Sequence, residues 1–423
     1  MSLAEVVSPY VGLVTELDEL LPSPDDARHF HAVAAPAASL LTLGADGPRP
    51  RSPGSGYGHE RGPARAAAVG EALERYAAAY VPESVLVEAT ARELGSAAAA
   101  PESFALFAPE QYRAPGFPFV PFTADTRLRW VPAVRLRDGA HAWLPAQLVY
   151  LGFRFDEPQI AYATSNGLAA APTWRRSLLA ALLELVERDA FMLAWNARLS
   201  FPLLDWQRSH DLRSYYARHL APALARLTTL DLSSVHEIPV VVALVRGRRG
   251  ALGVGAAAAP SVEEAWRKAV TEAFAVRTAA RELAIREPRP PFAPDFRDVR
   301  DFRDHIQVYA YPEHAGRAAF LEASDVRNDP ARVPRLRARV DDVVALLARK
   351  DIETYAVDVT SPDVREAGVT VVRAVAPSLI PLDVRHDGRF LGGKRLRNVP
   401  LELGYAAEPL SFEDFNPDPH PFP

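Results

Sequence analysis

The pattern Glu-x-x-Glu-Arg occurs twice in this chain, as Glu71-Ala-Leu-Glu74-Arg75 and as Glu184-Leu-Val-Glu187-Arg188. Each copy lies in an apolar stretch whose spacing predicts a helix, AAAVGEALERYAAAYV and SLLAALLELVERDAFMLAW. Residues three apart share a helix face, so each copy sets two carboxylates side by side. Carboxylates set this deeply among alanines and leucines call for a cation or another partner, because burying an isolated charge is strongly unfavourable. One copy alone reads most simply as the solvated face of an amphipathic helix. Two identical copies in stretches this apolar point instead to a site for metal ions and phosphate.

The ligand types narrow the metal. A carboxylate di-iron site calls for Glu-x-x-His on two helices. Three residues after Glu74 and Glu187 stand Ala77 and Ala190, and neither helix carries a histidine. Mg²⁺ suits an all-carboxylate set, since it takes oxygen ligands and completes its shell with water and substrate phosphates. Arg75 and Arg188 would then face phosphate oxygens, which match the guanidinium fork. The expected ligand is a magnesium nucleotide held between two helices.

Other phosphate-binding signals are weak. There is no Walker A sequence and no Gly-x-Gly-x-x-Gly opening a helix after a strand. The run Gly54-Ser55-Gly56-Tyr57-Gly58 reads equally as a flexible turn and as a phosphate contact. Glu272 and Arg277, both in a helical stretch over 261–284, read equally as ordinary helix charges and as site residues. The histidines show no ligand spacing and are expected to be surface groups or internally satisfied.

Composition excludes several classes. A net charge of −5 leaves no basic footprint for nucleic acid. The absence of cysteine removes disulfides, thiolate zinc sites and a cysteine nucleophile. The first residues, MSLAEVVSPYVGLVTELDELL, carry acids where a secretory signal is basic. Charges interrupt every long apolar run, so no membrane span is expected and a cytoplasmic protein is.

Strand and helix patterns alternate along the length. VLVEATA, LRWVPAVRLR, AHAWLPAQLVYLGF, IPVVVALVRG, DIETYAVDVT and GVTVVRAVAP read as strands, and GALGVGAAAAP as a short strand or loop. Helices are expected from about Pro63 to Val81, from Trp174 to Arg198 after the TSNG turn, over 261–284 with Ser261 as N-cap, and along RVPRLRARVDDVVALLARK. This predicts an α/β or α+β fold, as one domain over 1–423 with a proline-rich tail at 409–423. No fixed-period repeat is seen beyond the duplicated signature. The tail residues Asn416-Pro-Asp-Pro419-His-Pro421-Phe-Pro423 favour a stiff extended chain. They are either a disordered appendage or a segment threaded into the protein body.

Four stretches, in order, carry a family resemblance: AAAVGEALERYAA, SNGLAAAPTWRRSLLAALLELVERDA, DVTSPDVREAGVTVVRAVAPSLIPL and the closing PHPFP. Together they resemble the YcaO superfamily, in particular the cyclodehydratase component of azoline-forming peptide biosynthesis. The match runs from about residue 10 to the end. It implies mixed sheets with the two signature helices packed around a nucleotide. It also implies ATP- and Mg²⁺-dependent activation of a backbone amide in a ribosomally made precursor peptide. A Cys, Ser or Thr side chain of the peptide attacks the amide carbonyl, the oxyanion is phosphorylated, and phosphate leaves to give a thiazoline or oxazoline.

By motif, Glu71, Glu74, Glu184 and Glu187 correspond to the metal ligands. Arg75 and Arg188 correspond to phosphate or nucleotide contacts, Ser165 and Asn166 to the binding turn, and the carboxylate of Pro423 to a base. Departures from the family pattern stand at Tyr57, Ala67, Pro172, Arg176 and Ala275. The resemblance further implies a separate E1-like, leader-binding partner protein and leaves a homodimer open. Macrolactamidine or thioamide formation, and a non-catalytic peptide scaffold, are the alternatives.

Overall fold

The computed structural model describes residues 6–22, 26–37, 53–153, 155–247, 250–288 and 291–422. The first seven strands are β1 (Val14–Leu20), β2 (Phe30–Pro36), β3 (Gly54–Gly58), β4 (Val87–Ala89), β5 (Leu128–Arg135), β6 (His141–Pro145) and β7 (Leu168–Ala171). The others are β8 (Leu203–Leu204), β9 (Arg226–Asp231), β10 (Val240–Arg246), β11 (Leu252–Ala258), β12 (Arg327–Asn328), β13 (Tyr355–Asp358) and β14 (Thr370–Val375). The main helices are α1 (Arg61–Ala79), α2 (Trp174–Asn196), α3 (Val262–Arg286), α4 (Val340–Ala348) and α5 (Lys394–Glu402). None of the helices among the described residues is long and apolar enough to cross a membrane.

Two compact units divide the chain. The first comprises Met1–Leu21, Phe30–Leu185 and Arg339–Leu379; the second comprises Pro22–His29, Val186–Ala338 and Ile380–Pro423. The division falls inside α2, after Leu185.

In the first unit, β1, β2 and β3 form an antiparallel sheet, and a six-stranded sheet runs β4-β5-β13-β14-β7 with β6 on β5. Helix α1 buries Ala68, Val69, Ala72 and Leu73 in a core with Val131, Leu144, Leu168 and Val371. The glycine run expected as a turn or phosphate contact is instead strand β3. A Cβ on Gly54 would stand 2.1 Å from the Ala68 carbonyl, and one on Gly56 1.9 Å from that of Ala64. The strand thus lies directly on the helix backbone, an approach only glycine permits.

The second unit is built on the sheet β11-β10-β9-β8-β12. Helix α3 packs its Ala265, Trp266, Ala269, Val270 and Ala273 against β10 and β11. Ser261 caps it as expected, accepting from the Glu264 amide at 3.2 Å. Gly255 makes the same kind of approach, since a Cβ there would stand 2.4 Å from the Ala269 carbonyl.

The two units therefore share one construction that a fixed-period search misses. In each, the outer strand of an antiparallel trio lays a glycine on alanines of the next helix, and a helix glutamate accepts a strand amide. Ser55 N–H donates to Glu71 Oε2 at 2.6 Å, and Ala256 N–H to Glu272 Oε2 at 2.9 Å, with a separation of 16 residues in both cases. Around the glutamates the sequences read Val69-Gly-Glu71-Ala72 and Val270-Thr-Glu272-Ala273. The structural counterpart of Glu71 is thus Glu272, and not a residue of the second signature.

One other expectation changes. The helix expected along 332–350 is only α4, Val340–Ala348. Pro334 disfavours helix ahead of it, and Arg335 is drawn to Glu263 at 3.1 Å. The acid-rich VTELDEL, for which no element was expected, forms β1.

Candidate functional site

The first signature and half of the second meet in the first unit. On α1, Glu71 is held from two sides: Oε2 accepts the Ser55 amide, and Oε1 pairs with Arg75 at 2.5 Å. Arg75 also donates to the Pro53 carbonyl at 2.6 Å. Glu74, one turn along, is partly buried and lies in the field of Glu184 and Glu71. Burial raises its carboxyl well above the usual range, Glu184 and then Glu71 push it further, and Arg75 and Arg373 oppose. A buried carboxylate that two others repel is unfavourable without positive charge nearby, and hard oxygen donors suit magnesium.

The turn read as part of the site precedes β7. Ser165 is partly buried, while Asn166 and Gly167 are buried. Gly167 has a positive φ of 76°, and a Cβ there would stand 2.4 Å from the Ala374 carbonyl. The turn is pinned to β14 by the Ala374 amide, which donates to the Gly167 carbonyl at 2.8 Å.

The rest of the second signature lies in the second unit. Glu187 accepts the Ala258 amide at 3.3 Å, and Arg188 Nε stands 3.4 Å from its Oε1. Burial raises the Glu187 carboxyl to about 7; Arg188 opposes, Glu272 repels, and the Ala258 amide and Lys268 stabilise the anion. Glu272 and Glu187 thus form a second acidic pair. Arg277 does not join them: buried on α3, it pairs with Asp26 at 3.2 Å and anchors the segment before β2. Among the described residues no group of three or more acidic or histidine side chains is placed to hold a metal ion.

Asp189, next after the signature arginine, is fully buried and was not singled out from the sequence. It lies 2.8 Å from His236 Nε2 and 2.7 Å from Arg395, and accepts the Ile380 amide at 2.9 Å. Burial opposes its charge, but Arg395 and His236 outweigh burial and hold the carboxyl well below its usual range.

The tail is threaded into the second unit. Trp195 donates to the Asp418 carbonyl at 3.0 Å, Tyr309 to that of Pro419 at 2.6 Å, and His305 to that of His420 at 2.8 Å. Phe422 is fully buried, 4.9 Å from the Phe191 ring, with the Arg188 guanidinium 4.4 Å above it. The signature arginine thus rests on the tail. Pro423 lies outside the described residues.

His420 and His305 stack at 4.0 Å. His420 Nε2 donates to the Asp383 carbonyl at 2.8 Å while Nδ1 accepts the Phe422 amide at 3.3 Å, so the neutral ring uses both nitrogens. Burial lowers His305 to about 4 and His386 to about 3, and lowers His420 well below its ordinary value. Groups held neutral in the fold leave full stability above about 6.5, and it is lost as pH falls toward about 4. For His305 this amounts to about 3 kcal/mol. Asp383, raised to about 7 by burial against Arg389 and the Phe390 amide, works the other way in that window, as do the raised carboxyls of Glu187 and Glu74. Because these contributions oppose one another, the histidine part is read as a difference: the thermal midpoint of His420→Gln relative to that of wild type is expected to rise between pH 7.5 and pH 5. A difference between the two midpoints that does not change with pH would dissociate the effect from the tail.

Residues 55–380 match the family described as YcaO cyclodehydratase, ATP- and Mg²⁺-binding. The chain belongs to the YcaO family. Among solved structures, this YcaO chain is similar to a heterocyclase in complex with substrate and cofactor (27% identity, TM-score 0.78, 98% of this chain and 56% of that one). It is also similar to the heterocyclase TruD (27% identity, TM-score 0.66, 85% and 50%). The fold extends to the YcaO protein of Methanopyrus kandleri bound with AMPPCP and Mg²⁺ (20% identity, TM-score 0.62, 87% and 86%). The chain spans about half the length of the two heterocyclases. No curated protein matches significantly. The mixed α/β architecture expected from the sequence is thus that of the family.

Sequence reasoning missed two cations near the carboxylates, Lys268 beside Glu187 and Arg373 beside Glu74 and Glu184. For Arg373 a signal was present: an arginine inside the apolar strand sequence TVVRAV.

Proposed function

We propose that this chain binds a magnesium nucleotide and activates a backbone amide of a ribosomally made precursor peptide, converting Cys, Ser or Thr to thiazoline or oxazoline. The observation that carries the reading is the buried Glu74 carboxyl, whose charge Glu184 and Glu71 both oppose and which a divalent cation would offset. Membership of a family described as ATP- and Mg²⁺-binding supports it, as do heterocyclases at 27% identity.

In this reading Glu71, Glu74 and Glu184 hold one cation, and Glu187 with Glu272 a second. Arg75, paired with Glu71, and Arg188, stacked on Phe422, are the candidate phosphate contacts in this reading. The Ser165-Asn166 turn borders the first group. When bound, the magnesium nucleotide supplies the phosphoryl group that makes the amide oxygen a leaving group. The protein's part is to hold that oxygen, the nucleophile and the phosphoryl group in line, in a setting that favours the developing negative charge. The buried tail approaches through Arg188, and the Pro423 carboxylate as proton acceptor remains part of the proposal. A leader-binding E1-like partner, separate or fused, is the second participant.

The test is calorimetric titration of a non-hydrolysable ATP analogue with and without Mg²⁺, followed by ADP release in the presence of a candidate precursor. Magnesium-dependent binding and peptide-stimulated ADP release are expected. Binding without any ADP release would favour a scaffold, and no binding would refute the nucleotide site.

A further inference from the structure

An arginine inside a buried strand is costly, because a guanidinium taken out of water must recover its hydration through hydrogen bonds and opposite charge. Arg373 is such a residue. It sits on β14 between β13 and β7, opposite Val357 on one side and Leu168 on the other, and is 5% exposed. Its strand neighbours Val372 and Ala374 are fully buried.

Two observations show what it is for. Nη1 donates to the Thr164 carbonyl at 2.7 Å and Nη2 to the Leu148 carbonyl at 2.9 Å, bridging the segment that leads into the Ser165-Asn166-Gly167 turn. The adjoining Ala374 amide secures the far end of the same turn at Gly167. Arg373 and its neighbour therefore clamp both ends of the turn. Two carbonyls satisfy only part of a five-donor guanidinium, and its buried Nε makes no hydrogen bond among the described residues. The remaining compensation is the negative field of Glu184 and Glu74, and α1, which carries Glu74, packs on β7 and β14.

We propose that Arg373 is a positioning residue of the site, which clamps the Thr164–Gly167 turn and serves as the resident counter-cation of Glu74 and Glu184 when no metal is bound. The inference rests on the metal–nucleotide reading above and adds to it a fixed positive charge against which the divalent cation is balanced. Arg373 lets Glu74 and Glu184 coexist in the metal-free protein. It also weakens the bare metal's hold, so that tight binding requires the nucleotide phosphates as well.

The test compares thermal midpoints in EDTA and in excess Mg²⁺, without nucleotide, for wild type, Arg373→Met and Arg373→Lys. Calorimetry of Mg²⁺ alone and of the magnesium ATP analogue completes it. Arg373→Met should be least stable in EDTA, should gain more from Mg²⁺ than wild type, and should bind Mg²⁺ alone about tenfold tighter. Arg373→Lys keeps the charge but cannot bridge both carbonyls. It should show a near-wild-type magnesium response with analogue affinity lowered about tenfold.

If Arg373→Met folds only with Mg²⁺ present, that rescue is itself the expected result. Equal losses in EDTA and in Mg²⁺, with unchanged affinity for Mg²⁺ alone, would overturn the counter-cation role while wild type still binds the analogue. Failure of wild type to bind magnesium nucleotide at all would refute the site reading and this inference with it.

Discussion

Glu187→Gln is expected to lower magnesium-dependent nucleotide binding and product formation by at least about 100-fold while leaving the fold as stable as wild type or slightly more so. The two halves of this expectation have different causes. The carboxyl is 13% exposed, and burial with repulsion from Glu272 raises it to about 7 despite Arg188 beside it. The protein surroundings therefore favour a neutral group, and a neutral amide of the same shape is cheaper to bury. Glutamine also keeps a carbonyl oxygen for the Ala258 amide. What it cannot keep is the anionic oxygen that a hard divalent cation requires. Parallel thermal denaturation and analogue titration separate the two. Wild-type magnesium-dependent binding by this variant would remove Glu187 from the metal site, and a collapsed midpoint would make its role structural.

The second large effect is expected at the tail. Phe422→Ala should destabilise the protein by about 3–5 kcal/mol, the usual range for deleting a fully buried aromatic ring. The ring is completely buried against Phe191, and its loss leaves a cavity beside His420, whose Nδ1 accepts the Phe422 amide. The guanidinium of Arg188 also loses the aromatic face it rests on, a contact worth about 0.5–2 kcal/mol. The variant should accordingly show a lower thermal midpoint and, where still folded, weaker binding of the magnesium ATP analogue. Phe422→Leu, which refills much of the volume without the ring, should recover most of the stability but little of the affinity. Wild-type affinity in both variants would confine the tail's role to packing.

This couples two sequence features that looked independent. The proline alternation favoured a stiff extended segment, and the second signature a cation site. Threading of the segment brings them together at Arg188. Stiffness matters here because a chain with little conformational freedom loses less on docking.

The carboxylate pairs of the candidate site were legible because their spacing is local. Helix periodicity alone sets Glu71 beside Glu74 and Glu184 beside Glu187, and apolar surroundings alone make those carboxylates in need of positive charge. The helices α1 and α2 and the Ser261 cap followed from the same short-range rules. The glycine run at 54–58 defeated them, because glycine that serves a turn and glycine that lets a strand touch a helix look alike in sequence. Arg277 was ambiguous for a similar reason: its partner, Asp26, is some 250 residues away in the chain.

The sequence by itself determined which residue types could do the chemistry, since paired acids, flanking arginines and a stiff tail are written in intervals of three to five residues. The tertiary structure decided which of them meet: Glu71 and Glu74 with Glu184, Glu187 with Glu272, Arg373 with the Thr164 carbonyl, and Arg188 with Phe422. Those meetings depend on strand register and on how closely glycine lets a strand approach a helix. Both are set by packing between distant segments, which no local spacing encodes.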